Sequence, residues 1–267
     1  MKVKINYNLS AGNNAENKYL ERNKLKSKLK GTLKAIDITN QKILLQEKEV
    51  LNKIKEKQIF KKRIERKKEW YHSFRWFFTS SGFLVLAGKD TKNNEQLIKR
   101  YLKENDLYFH ADIHGAPHVI LKNNLKKDVL EIDKEEAACF ALIFSSAWKS
   151  KYFSTEVYSV KPDQVSKKAN TGESLGTGSF VIRGKREYYK KLNLKLKIIY
   201  DKEKGIFSFP VLLTNKTNKG DIIIIPGDLK KSDVSKKIKD HLITKKIIVT
   251  QEEIDGILPP GNCEVLF

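Results

Sequence analysis

Hydrophobic and polar positions follow two different rules along this chain. In the first quarter, Leu29, Ile36, Ile43 and Val50 recur every seven residues, with Leu33 and Ile54 widening the same seam in an otherwise polar stretch. The first proline is Pro117. Gly31 is therefore the main obstacle to helix within this stretch, and one glycine costs only about 1 kcal/mol relative to alanine. Ser10, Asn13 or Asn14 supplies an N-cap, because a short polar side chain can accept from the unpaired N–H groups of a first turn. The pattern predicts one long, coiled-coil-like helix over residues 1–69. It needs a partner helix or the body of the protein to cover its seam.

An aromatic cluster follows (Trp70, Tyr71, Phe74, Trp76, Phe77 and Phe78), which reads as a joint between the polar helix and a globular domain. Beyond it the period switches between two and 3.6 residues. Strands are expected at 83–87, 107–110, 118–121, 155–160, 179–183, 194–200 and 206–213, and helices at 93–102 and 135–149. Residues 215–220 read as a polar linker, followed by strands at 221–225, 246–249 and 264–267 and helices at 233–242 and 251–255. No internal repeat stands out. The expected class is α+β: the basic helix 1–69, a mixed α+β domain 70–214, and a small C-terminal α/β domain 215–267.

Charge narrows the choice of partner. The 267 residues carry 53 Lys and Arg against 32 Asp and Glu, a net +21. Such a surplus favours a polyanion, either nucleic acid or an acidic membrane face. Between residues 18 and 68 there are 18 basic and six acidic residues, so the helix carries much of it. Only seven of the 53 are Arg, which leaves a lysine-biased genome as the plain alternative. Cys139 and Cys263 are too few for a disulfide framework, and no apolar run reaches the ~20 residues of a membrane helix. Met1–Ser10 lacks the apolar core of a secretory signal. A soluble, cytoplasmic protein without a membrane partner is expected.

Candidate chemistry is sparse. His110, Asp112 and His114 alternate as strand neighbours on one face would, but without a further ligand they are better read as polar groups at a turn, made by Gly115, than as a metal site. The segment 171–179, Thr-Gly-Glu-Ser-Leu-Gly-Thr-Gly-Ser, is rich in groups that let backbone N–H approach a phosphate, yet it lacks the Gly-Lys-Ser/Thr ending of a P-loop. Lys161, Lys167 and Lys168 precede it and Arg183, Lys185 and Arg186 follow it, so that opposed basic edges flank a loop that is otherwise a plain hairpin. In 88–100, polar residues cap a helix start and Lys99 and Arg100 sit at its end. No nucleophile, base and orienting group come together, and nothing calls for a metal or other cofactor.

Several runs resemble a known family. Phe74-Arg-Trp-Phe77, Gly88-Lys-Asp90, Asn94-Glu95, Lys99-Arg-Tyr101, Asp106-Leu-Tyr108 and His110-Ala-Asp-Ile-His-Gly-Ala116 are similar to the R domain of the NFACT proteins, the group that contains the eukaryotic ribosome-quality-control factor NEMF. Ser145-Ser-Ala-Trp148, Gln164-Val-Ser-Lys167, Thr171-Gly-Glu173 and Thr177-Gly-Ser-Phe-Val-Ile-Arg-Gly-Lys185 continue the match in order and spacing. Residues 221–242 and 253–265 resemble a shortened form of the family's C-terminal domain, and 8–19 the start of its last coiled-coil helix.

The resemblance implies binding to stalled large ribosomal subunits that carry peptidyl-tRNA, recruitment of tRNA for template-free tailing, and support of a ubiquitin ligase in eukaryotes. The ribosome makes the peptide bonds, so the chain is not expected to be an enzyme. The family's large N-terminal domain, which holds its Asp-Arg motif for tRNA selection, has no counterpart here. The expectation is either a reduced gene or a separate polypeptide carrying that half.

The RNA surface is expected to use Lys89, Lys99, Arg100, Lys122, Lys149, Lys151, Lys161, Lys167, Lys168, Arg183, Lys185 and Arg186, with hydrogen bonds from His110 and His114. Its ligands would be large-subunit RNA and tRNA. A coiled-coil adaptor for another protein, a general nucleic-acid-binding module, and a hydrolase built on His110, Asp112 and His114 remain the competing readings.

Overall fold

The computed structural model of the chain describes residues 3–61, 69–124, 127–151, 155–168, 175–215 and 217–267, the side chains of 52–61 aside. Ile54 of the seam and residues 171–174 of the glycine-rich loop thus lie outside the described side chains. The chain divides into two compact units, Met1–Ile64 and Glu65–Phe267.

The first unit is one helix, α1 (Ala11–Lys61). Ser10 is the residue that caps it: its Oγ accepts from the Asn13 N–H at 3.2 Å. Asn14 instead fastens the preceding turn, accepting from Asn6 N–H at 2.8 Å and donating to the Asn6 carbonyl at 2.9 Å. Leu29, Leu33, Ile36, Ile43 and Val50 are exposed, so the helix taken by itself leaves its seam uncovered.

The second unit has the α+β character expected. Its first sheet is antiparallel with strand order β1-β2-β4-β3-β5-β8: β1 (Arg75–Phe78), β2 (Leu84–Ala87), β3 (Leu107–Ala111), β4 (Val119–Lys122), β5 (Val157–Val160) and β8 (Glu187–Tyr189). A two-stranded ribbon pairs β6 (Val165–Ser166) with β7 (Val181–Ile182). The second sheet, order β10-β9-β11-β12, contains β9 (Leu196–Asp201), β10 (Gly205–Pro210), β11 (Ile222–Leu229) and β12 (Cys263–Leu266). It draws two strands from each side of residue 215.

Helix α2 (Thr91–Gln96) runs into a single π-turn, Leu97–Tyr101, rather than one continuous helix over 93–102. Helix α3 (Glu131–Ile143) touches β3, β4 and β5 of the first sheet and β10 of the second, and is followed by a short α4 (Ala147–Ser150). Its Ala137, Ala138, Phe140, Ala141 and Ile143 are fully buried, as a helix between two sheets requires. Two buried carboxylates on α3 hold the β1–β2 turn. Glu136 accepts from the Ser80 N–H at 2.8 Å and from its hydroxyl, and Asp133 accepts from Ser81 N–H at 3.2 Å. Burial raises the pKa of Glu136.

The aromatic cluster is a structural part of this body rather than a joint before it. Phe77 is fully buried in β1, and Trp76 and Phe77 meet Phe207 and Phe209 of β10 at 4.9 and 5.5 Å between ring centres. These contacts join the two sheets into one core that runs from Phe74 to Cys263. Helices α5 (Lys231–Thr244) and α6 (Gln251–Ile257) pack on each other, α5 also on β12 and α6 on β10. No strand forms at 246–249. Lys246 takes φ +59° and Ile247 N–H returns to the Leu242 carbonyl at 2.9 Å, closing the end of α5. No helix among the described residues is long and apolar enough to cross a membrane.

Candidate nucleic-acid interface

A cleft of ≈ 570 Å³ opens beside the first sheet, lined by parts of β1, the β2–α2 turn, β3, the 113–118 loop and the ribbon. Its walls are set by backbone approaches that only small residues allow. A Cβ on Gly88 would stand 1.9 Å from the Asn94 Oδ1, the same oxygen that accepts from His118 N–H at 3.2 Å. Gly178, at φ +76°, brings the ribbon tip onto α2, where a Cβ would lie 2.7 Å from the Thr91 carbonyl oxygen. Its N–H donates to Glu95 Oε2 at 2.9 Å. Asp90 caps α2 by accepting from Asn93 N–H at 2.8 Å, which fixes the turn that carries Lys89.

One end of the cleft is cationic. Arg75 donates from Nη1 to the Gly88 carbonyl at 2.8 Å and lies 4.8 Å over the Phe144 ring, while its buried Nε has no hydrogen-bond partner among the described residues. Burial, opposed by Asp90, lowers its pKa to about 10. Lys89 donates to the His72 carbonyl at 3.2 Å, and loss of water together with the neighbouring Arg75 lowers its pKa as well.

The other end is aromatic and neutral. His110 is pushed down to about 4, chiefly by burial and then by His118. His118 Nε2 lies 2.7 Å from the Gly178 carbonyl and Nδ1 2.5 Å from the Tyr108 hydroxyl. A carbonyl only accepts, so Nε2 carries the proton and Nδ1 accepts from Tyr108.

The ribbon gathers most of the expected cations. Lys167 donates to the Gly176 and Ser179 carbonyls at 2.8 and 3.1 Å and lies 5.0 Å over Phe180, sharing Glu95 with Lys99. Arg183 donates to the Lys168 carbonyl at 3.3 Å, and Gln164 ties the Arg183 and Lys185 carbonyls at 2.8 and 2.9 Å while accepting from Lys161 N–H. Arg186 packs over Tyr158 at 4.4 Å. Lys161, Lys168, Arg183 and Lys185 are exposed, as are Lys99 and Arg100 at the end of the π-turn.

Lys149 and Lys151 lie on and just after α4, the latter paired with Asp228 at 2.9 Å. Lys122 departs from expectation. Its inward-facing strand position buries it, and its ammonium is spent on Asp106 and on the Tyr101 carbonyl, so a phosphate contact does not extend to it. His114 and Asp112 fall outside β3, which ends at Ala111, so the three polar residues do not share a strand face. His114 is exposed in the turn where Gly115 adopts φ +79°. Among the described residues no three His, Cys, Asp or Glu groups gather as metal ligands would.

Residues 73–184 match the model of the NFACT protein RNA binding domain, and all of the cleft's lining except Pro260 falls within that span. The chain carries an NFACT RNA-binding domain. It is 41% identical over 209 residues to the archaeal Rqc2 homolog aRqcH of Methanocaldococcus jannaschii, across 77% of this chain and 31% of that protein. It is 35% identical to the ribosome quality control complex subunit NEMF homolog of Drosophila melanogaster, across 73% of this chain and 19% of that one. Against human NEMF it is 42% identical over 123 residues, which cover 46% of this chain and 11% of its relative. The chain therefore spans less than a third of the length of these relatives.

Within the NFACT domain, sequence reasoning passed over Arg75, Tyr108, His118, Tyr158 and Phe180. An arginine set among the aromatic residues 74–78 was the one visible sign, since a charge flanked by core residues needs a partner or a purpose.

Proposed function

We propose that this NFACT protein is a cytoplasmic RNA-binding component of ribosome-associated quality control, engaging large-subunit RNA and tRNA and catalysing no reaction itself. Residues 70–214 carry the RNA surface in this reading, and 215–267 complete the second sheet behind it. The observation that carries it is the set of exposed cations on and beside the β6–β7 ribbon, Lys161, Lys168, Arg183 and Lys185, beside a cleft that holds two more. Cations carried on a rigid scaffold suit recognition of folded RNA by shape and phosphate position, with counterion release supplying much of the affinity. The names of the relatives, which place them in ribosome quality control, support the same assignment.

Affinity purification of the tagged protein from cells tests it. Free large subunits carrying peptidyl-tRNA are expected to co-purify, and a Lys168→Ala, Arg183→Ala, Lys185→Ala variant is expected to lose them. Recovery of no ribosomal RNA, or equal recovery by the variant, refutes the reading.

A further inference from the structure

We propose that the cleft is a pocket for one unstacked RNA nucleotide, with its phosphate between Arg75 and Lys89 and its base against the aromatic end formed by Tyr108, His110, Tyr158 and Phe180. The proposal rests on the RNA-binding reading above and adds a discrete site to it.

The cationic end calls for an anion. Arg75 and Lys89 line the same cleft, and each is held by a backbone carbonyl instead of a carboxylate. Asp90 lines the cleft as well and acts on both cations while capping α2 through Asn93 N–H, so one carboxylate is set against two positive charges. The buried Arg75 Nε is a donor left over, and a buried donor without an acceptor is costly unless a ligand supplies one.

The other end calls for a flat, uncharged group. Tyr108 and His110 lie with their rings near parallel, 6.4 Å apart, and His110 stands 6.0 Å from Tyr158. The His110 imidazole, held by backbone hydrogen bonds to Ala111 and Ala116 and kept uncharged chiefly by burial, presents a neutral ring to a base. A volume of ≈ 570 Å³ falls in the range of about 300–1,000 Å³ typical of small-molecule sites. A nucleotide has both halves in this order, phosphate then heteroaromatic ring. The cations that ride on the aromatic walls, Lys167 over Phe180 and Arg186 over Tyr158, are placed for the phosphates before and after it. Stacking on protein rings beside a cationic track is how single-stranded RNA is held.

The full chain is titrated with 5′-CMP and 5′-AMP, with the matching trinucleotides, and with inorganic phosphate and free nucleosides as single-half probes, while the His110 and His118 ring resonances are followed by NMR. Mononucleotides are expected to shift both rings, each half alone to bind at least about fivefold more weakly, and trinucleotides more tightly still. Lys89→Ala, at the rim, is expected to weaken the mononucleotide about fivefold or more with unchanged ring spectra in the free protein. Arg75→Gln, tested only if its spectrum is folded, is expected to do so further.

Phosphate binding as tightly as CMP and AMP overturns the base half, and silence of both rings overturns the pocket. A mononucleotide bound as tightly as the trinucleotide assigns a free nucleotide and overturns the RNA assignment. A parallel tRNA titration separates the two readings. Salt-dependent tRNA binding that mononucleotides and trinucleotides leave untouched sinks the pocket and spares the RNA surface, whereas nucleotide binding without tRNA binding does the reverse.

Discussion

His118 and Gly178, sixty positions apart, meet through a 2.7 Å hydrogen bond from the imidazole Nε2 to the glycine carbonyl. The bond fixes the ribbon tip to the first sheet, and the Tyr108 hydroxyl holds the opposite nitrogen. His118→Phe keeps the ring volume but leaves both a buried hydroxyl and a carbonyl unpaired. Denaturant unfolding is expected to register a loss of about 1–3 kcal/mol. Hydrogen exchange at 178–182 is expected to quicken more than in β3. An unchanged midpoint would mean that the ribbon is held by other contacts.

Acid should destabilise the second unit through His118 and its neighbour His110. His110 resists protonation until about pH 4, and His118 is lowered too, in each case mainly by burial. Below the ordinary imidazole value near 6.5 the unfolded chain therefore binds more protons than the folded one, and linkage makes stability fall as pH drops. The contribution is complete above about 6.5 and is lost between there and about 4 for His110. Tyr108, Tyr158 and Arg186 face the ring and hold no carboxylate that would reverse the sign, while Asp112 lies near Tyr158 and Arg186. The urea midpoint is expected to be lower at pH 5 than at pH 7.5, and His110→Asn to shrink the difference.

Lys122 separates structural from surface charge. Its ammonium and the Asp106 carboxylate form a buried pair, and Asp106 also accepts from Lys103 N–H at 2.7 Å and Asn123 N–H at 3.0 Å. Lys122→Met removes one partner and strands the other, which is expected to cost about 3–5 kcal/mol. RNA affinity per folded molecule is expected to stay unchanged. A variant of normal stability but weakened RNA binding would return Lys122 to the interface.

How much of this was legible in the sequence depends on whether the signal was local. Helix α1 followed from a seven-residue seam and a capping serine, and β3, β4, β5 and α3 from their own periodicities. Strand β1 was missed because Trp76 and Phe77, neighbours in sequence, are both buried, Trp76 against Tyr71 and Phe207 and Phe77 against Phe140 and Phe209, so the strand does not alternate. The apolar Ile247 and Val249 suggested a strand, yet they follow a helix-closing turn and pack as single plugs. The cleft was the least legible part. Arg75, Tyr108, His118 and Phe180 come from four segments joined only by sheet order and by the ribbon folding back, and no spacing rule spans that distance. The basic flanks of residues 171–179 were visible because both edges of one hairpin lie close in sequence.

Helix α1 offers a test of its own. A Cβ at Gly31 would meet nothing within 4 Å, so Gly31→Ala is expected to raise helix stability by about 1 kcal/mol, seen as greater ellipticity at 222 nm on heating. Leu29→Gln with Ile36→Gln and Ile43→Gln is expected to leave helicity nearly intact while abolishing any association that the seam mediates, measured by sedimentation. If RNA binding by the full chain falls equally in the triple variant, the seam and the RNA surface are not independent.

Salt dependence distinguishes phosphate contact from incidental basicity. Each neutralised phosphate releases counterions, so log K against log salt falls by roughly 0.7–0.9 per contact. If the six cations Lys99, Lys161, Lys167, Lys168, Arg183 and Lys185 all reach phosphates, the slope for tRNA is expected to be about −4 to −5. Lys99 and Lys167 each contribute less than a full contact, because both pair with Glu95 and two carbonyls also hold Lys167. Arg183→Ala and Lys185→Ala should each flatten the slope by a little under one unit. Lys151→Ala, whose ammonium pairs with Asp228, should change it less. A slope near zero would reduce the surplus of +21 to composition, and equal effects from all three variants would mean that the charge acts as a diffuse cloud without a ribbon-centred site.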